Sequence, residues 1–111
     1  MWEPFEAGGT IGQEGSENGT IIRDEKHLWG ARITLERSTP TAPFAITCGV
    51  YRWMVHTRFF STEAEAGSQF DAMKAALTEI IATRPADDGP DANAKMDGIS
   101  EALTLFIQRH P

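Results

Sequence analysis

The sequence predicts an α+β fold in which a four-stranded antiparallel meander sheet is covered by two C-terminal helices, in the order β-β-β-β-α-α. Ala31–Arg37 alternates apolar and polar residues, which is typical of a strand with one buried face. The second half of the chain carries two apolar stripes at helical spacing. Because the strands come first and the helices last, βαβ units of the Rossmann or TIM-barrel kind are not expected.

One domain is expected, since 111 residues is close to the commonest domain size of about 100–150. Hydrophobic residues make up 41% of the chain and charged residues 23%, which is ordinary for a globular protein. Residues 1–19 contain five glycines and are predicted to form a flexible N-terminal segment, with a short strand around Thr10–Gln13 as an alternative and a tight turn at Asn18-Gly19. Residues 20–111 are predicted to form the single α+β domain.

Four stretches rich in β-branched or aromatic residues predict the strands: Thr20–Arg23, Ala31–Arg37, Phe44–Val50 and Trp53–Phe60. The polar stretch Asp24–Gly30 is interpreted as a hairpin connection that ends in glycine. Two prolines between residues 38 and 43 predict a loop, because proline cannot donate to a strand ladder.

The first helix is predicted to begin at a capping box formed by Thr62 and Glu65, and to end at Arg84 before Pro85. Its apolar stripe is Ala66, Phe70, Met73, Leu77, Ile80 and Ile81. Pro90 suits the first turn of the second helix. The stripe of that helix is Met96, Ile99, Leu103, Phe106 and Ile107.

The formal net charge of −6 argues against nucleic acid and anionic membranes as partners, since both are bound largely through Lys and Arg. No stretch approaches the roughly 18 apolar residues of a membrane span, and the N-terminus does not resemble a signal peptide. Cys48 is the only cysteine, so an internal disulfide and a cysteine-based zinc site are not expected. These observations predict a cytoplasmic protein, and no motif predicts a cofactor.

Cys48 and His56 are the candidate nucleophile and base, because an imidazole can activate a thiol. Whether they share a sheet face depends on the loop between the third and fourth strands. A loop with an even number of residues puts them on opposite faces, and an odd loop puts them on the same face. The sequence leaves this parity open. The alternative is that Cys48 is a small buried apolar residue.

Two other patterns were weighed as sites, and neither predicts one. Asp24, Glu25 and His27 are metal-binding residue types, but no second cluster supplements them, so a solvated turn is preferred and no metal is expected. The glycines at 9, 12 and 15 lack the Lys-Ser/Thr of a phosphate-binding loop and are interpreted as a flexible segment.

The aromatic residues of the fourth strand give the strongest indication of function. An alternating strand cannot point all of them into one core, so part of this aromatic area is expected to form an interface. The predicted interface residues are Tyr51, Trp53, Phe59 and Phe60. They favour a homodimer and a non-catalytic, self-associating binding module, with protein partners also open.

The alternative function is a small-molecule binding protein or small enzyme with a sheet-lined pocket, in which arginines would suit an anionic ligand. The predicted ligand-binding residues are Arg32, Arg52, His56 and Arg58, with His27 as a further polar anchor.

Overall fold

The computed structural model describes residues 2–28, 30–50, 54–82 and 92–111, and the protein is α+β. Five antiparallel strands lie side by side in chain order, so the sheet is a continuous meander. The strands are β1 (Trp2–Pro4), β2 (Thr20–His27), β3 (Ala31–Arg37), β4 (Phe44–Val50) and β5 (Met54–Phe60). The helices α1 (Glu63–Ala82) and α2 (Ala92–Arg109) follow. The predicted α+β class, an antiparallel sheet followed by two helices, is confirmed.

The predicted number of four strands is wrong, because β1 adds a fifth. Trp2 pairs with His27 and Pro4 pairs with Glu25, at one edge of the sheet. The Trp2 indole Nε1–H donates to Thr78 Oγ1 of α1 at 2.8 Å, and this long-range bond helps to hold a strand of only three residues. A strand this short has no recognisable alternation, which is why the sequence did not indicate it.

Strand β2 continues through most of the stretch that was interpreted as a hairpin connection. It reaches His27, and β3 begins at Ala31. Gly30 has a positive φ of 97°, and its N–H donates to His27 O. Asp24 therefore lies in a strand, and its carboxylate is satisfied by side chains of the same sheet face.

The core lies between the helices and one side of the sheet, called here the inner face. Strand β3 contributes Ala31, Ile33 and Leu35, as its alternation predicts. In α1 the predicted stripe is confirmed, with Ile80 half-buried and Ala66, Phe70, Met73, Leu77 and Ile81 buried. Leu103 and Phe106 of α2 complete this core. The Glu65 N–H donates to Thr62 Oγ1 at 3.2 Å, so Thr62 caps α1.

The opposite side of the sheet, the outer face, is partly covered by residues 5–19, called here the strap. The predicted strand at Thr10–Gln13 is absent, and these residues form turns joined to β2 by Gly12 N–H to Ile21 O and Ile21 N–H to Gln13 O bonds. Asn18 has a positive φ of 64°, as a tight turn requires. Flexibility of residues 1–19 stays a prediction.

Several predicted features lie outside the described residues. They are Tyr51, Arg52 and Trp53 in the β4–β5 loop, the helix end at Arg84, and Pro90. The side chains of Met96 and Ile99 are also outside the described part of the chain.

Candidate functional site

The chemically richest part of the outer face is a buried carboxylate, Asp24, whose side chain is 0% exposed. Arg32 donates to it twice, from Nε at 3.0 Å and from an Nη at 2.7 Å. The Thr34 hydroxyl donates at 3.1 Å, and the strap residue Thr10 donates at 2.8 Å. Asp24 raises the pKa of Arg32 by hydrogen bonding. Asp24 therefore ties the strap to β2 and β3.

A second buried carboxylate, Glu36, anchors the other end of the strap. It is fully buried and accepts the backbone N–H of Gly19 at 3.0 Å and that of Glu17 at 3.2 Å. A Cβ on Gly15 would lie 2.3 Å from Glu36 Cδ, and one on Gly19 would lie 2.6 Å from the backbone oxygen of Arg37. These two glycines are therefore needed for close approach.

A cleft of about 350 Å³ lies on the outer face, between the strap and strands β3 to β5. Strap residues 13–16 form one wall, and Thr34, Thr47, Gly49 and Val55 line the sheet side. The hydroxyls on the sheet side are already engaged, since Thr34 donates to Asp24 and Thr47 lies 3.2 Å from the Thr57 hydroxyl. In the described part of the chain, no buried side-chain polar atom lacks a hydrogen-bond partner.

Cys48 and His56 share the inner face, which resolves the parity that the sequence left open. Val50 pairs with Met54, so the β4–β5 loop has an odd number of residues, and Cys48 pairs directly with His56. Cys48 is almost completely buried, and this burial raises its pKa to about 12. The thiol is therefore protonated at neutral pH, and the pairing with His56 does not make it a nucleophile.

His56 and Arg58 hold the end of α2 against β5. The His56 Nε2–H donates to the backbone oxygen of His110, and Arg58 Nε donates to that of Pro111 at 3.1 Å. Arg58 also donates to Gln69 Oε1 at 2.8 Å and approaches His110 Nδ1 at 3.4 Å. Burial lowers the pKa of Arg58. The donors of both residues therefore serve contacts between the sheet and the helices.

The four predicted ligand-binding residues are not gathered at one place. Arg32 lies on the outer face with its guanidinium over the Phe5 ring at 3.7 Å, whereas His56 and Arg58 lie on the inner face. Arg52 lies outside the described residues. Of the three that the structure describes, Arg32 alone lines the cleft.

The predicted interface residues are also split between the two faces of the sheet. Phe59 lies on the outer face and is 44% exposed, while Phe60 is buried in the core. Tyr51 and Trp53 lie outside the described residues. Val55, which was not predicted, is 78% exposed on the same face as Phe59.

Asp24 and Glu25 point to opposite faces of β2, so the metal-binding residue types of this stretch do not converge. Glu25 instead accepts from Lys74 of α1 at 2.6 Å and from Arg23 at 3.2 Å. Among the described residues, no group of three or more His, Cys, Asp and Glu side chains could hold a metal ion.

The roles of Asp24 and Glu36 as buried anchors were missed from the sequence. For Glu36, a signal lay in Gly15 and Gly19, which permit the strap to approach its side chain.

We expect the free energy of unfolding to decrease as the pH falls below about 6.5. Burial lowers the pKa of His110 below its ordinary value of 6.5, and the charges of Arg58, His56 and Arg109 lower it further. Between 6.5 and the lowered pKa the unfolded state binds more protons, so the stabilisation present above 6.5 is lost as the pH falls through this interval.

Urea denaturation at about pH 7.5 and about pH 5 checks this expectation. His110→Gln should lose less stability over the interval than the unchanged protein. Part of the loss should remain, because burial also lowers the pKa of His27. A stability that is constant or rises on acidification would contradict the prediction.

In comparisons with known proteins, no family model, curated protein or solved structure matches this chain. In the described part of the chain, neither helix is long and apolar enough to cross a membrane.

Proposed function

We propose that this chain is a non-catalytic, self-associating interaction module in which two copies pair antiparallel along β5. The observation that carries the proposal is that β5 is a seven-residue edge of the sheet, with no described strand paired to its free side. Its charged side chain, Arg58, lies on the inner face, where it bonds to Gln69 and to the end of the chain after α2. An exposed strand edge presents unpaired backbone N–H and C=O groups, which are a template for another strand. A second copy is the partner that is always present.

The two edges of the sheet differ in ways that favour β5. Strand β1 has only three residues, ends in Pro4, and carries a Glu3–Lys26 ion pair with an N···O distance of 3.5 Å. Short length, proline and charge are the usual means of preventing edge pairing. Strand β5 has seven residues, contains no proline, and pairs with β4 in continuous register.

The outer-face side chains of β5 are self-complementary about its middle residue, Thr57. A two-fold axis at Thr57 would place Val55 of each copy opposite Phe59 of the other, on the outer face. Both side chains are exposed in the single chain. Cross-strand pairs of an aliphatic and an aromatic residue stabilise sheets by about 0.2–1 kcal/mol each.

The contacts of the candidate catalytic residues support the non-catalytic part of the proposal. Burial keeps Cys48 protonated, and the polar atoms of His56 and Arg58 hold α2. We also propose a cytoplasmic location, because the single cysteine is a buried free thiol.

The small-molecule alternative rests on the 350 Å³ cleft, which is within the usual size of about 300–1,000 Å³ for ligand sites. It is less favoured because the Asp24 carboxylate engages Arg32 and the sheet hydroxyls bond within the protein. An anionic ligand would have to displace this carboxylate.

Sedimentation over a range of concentrations tests self-association. We expect a dimer, and we expect Thr57→Lys to raise its dissociation constant by about tenfold or more, since the axis would bring two like charges together. Leu105→Lys is the matched control, because Leu105 is 48% exposed and lies on α2, outside the strand that would pair. A monomer at several hundred micromolar, or equal effects of the two variants, would overturn the proposal.

Cysteine substitution tests the register. Directly opposite residues have Cα atoms about 4.5–5.5 Å apart, within the range that a disulfide spans. Thr57→Cys should therefore form a disulfide-linked dimer on mild oxidation. Val55→Cys should not, because the two copies of residue 55 would lie about 13 Å apart along the strands. Cys48 is buried, so it should not compete with the introduced cysteine for disulfide formation.

A further inference from the structure

We infer that the outer faces of two paired copies form a trough that binds a cationic amphipathic helix. The inference rests on the self-association proposed above and adds the chemistry of a partner. Its three supports are the composition of the trough floor, the charge of its walls and its width.

The floor would be the outer face of β4 and β5 from both copies, and it is uncharged. Val55, Thr57 and Phe59 of β5 supply its accessible part, together with Thr47 and Gly49 of β4, whereas Ala45 beside Phe59 is buried. The strap reaches over β2 and β3, through Asp24 and Glu36, and leaves Val55 and Phe59 exposed. An uncharged floor with exposed apolar side chains suits the apolar stripe of a helix.

The walls would be the two straps, and they are acidic. Glu14 is exposed and lines the cleft beside Val55, and Glu17 follows it over Glu36. Neither Glu14 nor Glu17 forms an ion pair with a described residue. The described cations of the outer face, Lys26 and Arg32, are already paired with Glu3 and Asp24. The unbalanced charge along the walls is negative, so a cationic partner is the complementary one.

The width fits a single helix. Four strands, β4 and β5 from each copy, span about 19 Å at roughly 4.8 Å per strand. A helix with its side chains is about 10–12 Å across. One helix therefore lies between the two straps with room for its lysine or arginine side chains to reach the walls, and the expected stoichiometry is one helix per two chains.

The test uses a fluorescent synthetic helix of about 18 residues, with leucine on one face and lysine on the other. Anisotropy gives its affinity for the full chain, and native mass spectrometry gives the stoichiometry. We expect binding at one peptide per two chains, weakened by added salt. The same peptide with glutamate in place of lysine should not bind.

The decisive variant is the double substitution Glu14→Gln with Glu17→Gln. It removes two negative charges from each strap and leaves the residues of β5 unchanged. We expect it to weaken peptide binding about tenfold and to leave the dimer mass unchanged. The matched control is Glu79→Gln with Glu101→Gln, which removes the same charge from exposed positions on α1 and α2. It should change the affinity far less.

The outcomes separate the two proposals. A dimer that does not bind the lysine peptide, or equal effects of the two double variants, overturns the helix site and leaves self-association standing. One peptide bound per monomeric chain overturns the self-association and the two-copy trough together. Binding of both peptides alike overturns the charge argument and with it the inference.

Discussion

Asp24→Ala is expected to lower the free energy of unfolding by about 3 kcal/mol. Removing one member of a buried ion pair typically costs about 3–5 kcal/mol, and the lower end applies here because the Arg32 side chain is 45% exposed. The hydroxyls of Thr10 and Thr34 would also lose their acceptor. Urea denaturation measures the loss, and amide hydrogen exchange of residues 10–19 reports whether the strap is released.

Asp71→Ala is the matched control for this result. Asp71 also pairs with an arginine, with its Oδ1 3.2 Å from an Nη of Arg23, but its side chain is 68% exposed. Exposed pairs contribute roughly 0–1 kcal/mol, so this variant should change stability little. If Asp71→Ala were as destabilising as Asp24→Ala, the assignment of Asp24 as a buried anchor would be wrong.

Glu36→Ala is expected to lower the free energy of unfolding by about 3 kcal/mol. Hydrogen bonds to a charged group contribute about 1.5–3 kcal/mol, and this carboxylate accepts the N–H groups of Gly19 and Glu17. The substitution would also leave a void under Gly15, which lies directly against the carboxylate. Urea denaturation measures this loss as well.

Two further variants separate the role of the carboxylate from that of its charge. Glu36→Gln keeps the size of the side chain and one acceptor oxygen, so it should lose clearly less stability than Glu36→Ala. Glu79→Ala removes an exposed carboxylate of α1 and should stay within about 0.5 kcal/mol of the unchanged protein. If Glu36→Ala left stability and the exchange of the Gly19 amide unchanged, the anchoring role would be refuted.

The elements that the sequence predicted well are those with a regular local pattern. The alternation of Ala31–Arg37 identified β3, and the stripe from Ala66 to Ile81 identified α1. In both cases the pattern reports burial against a single core. The contributions of β3 and α1 to the core could therefore be predicted residue by residue.

The outer face could not be predicted in the same way, because it depends on contacts between distant residues. The alternation gave the side on which Glu36 lies, but its complete burial comes from the strap 17–19 residues earlier in the chain. Aspartate is common in turns, so the local sequence favours a turn at Asp24. Its place in β2 is supported instead by hydrogen bonds from Arg32 of β3 and Thr10 of the strap.

The relative position of Cys48 and His56, the candidate nucleophile and base, depends on the length of the β4–β5 loop. Because Val50 pairs with Met54, Cys48 and His56 share a face, and no local pattern in the sequence fixes that loop length. From the sequence, a position on the same face of the sheet could be given only as one of two alternatives.

Strand β1 closes one edge of the sheet with three residues that end in Pro4, and this would limit the size of the proposed assembly. If two copies pair along β5 as proposed, the edges left in the pair are the two β1 strands, and growth stops at two. A chain shortened to begin at residue 20 would present β2 as a second open margin. Under the proposed pairing, copies of such a chain would have two open edges each and would add one after another into a fibre.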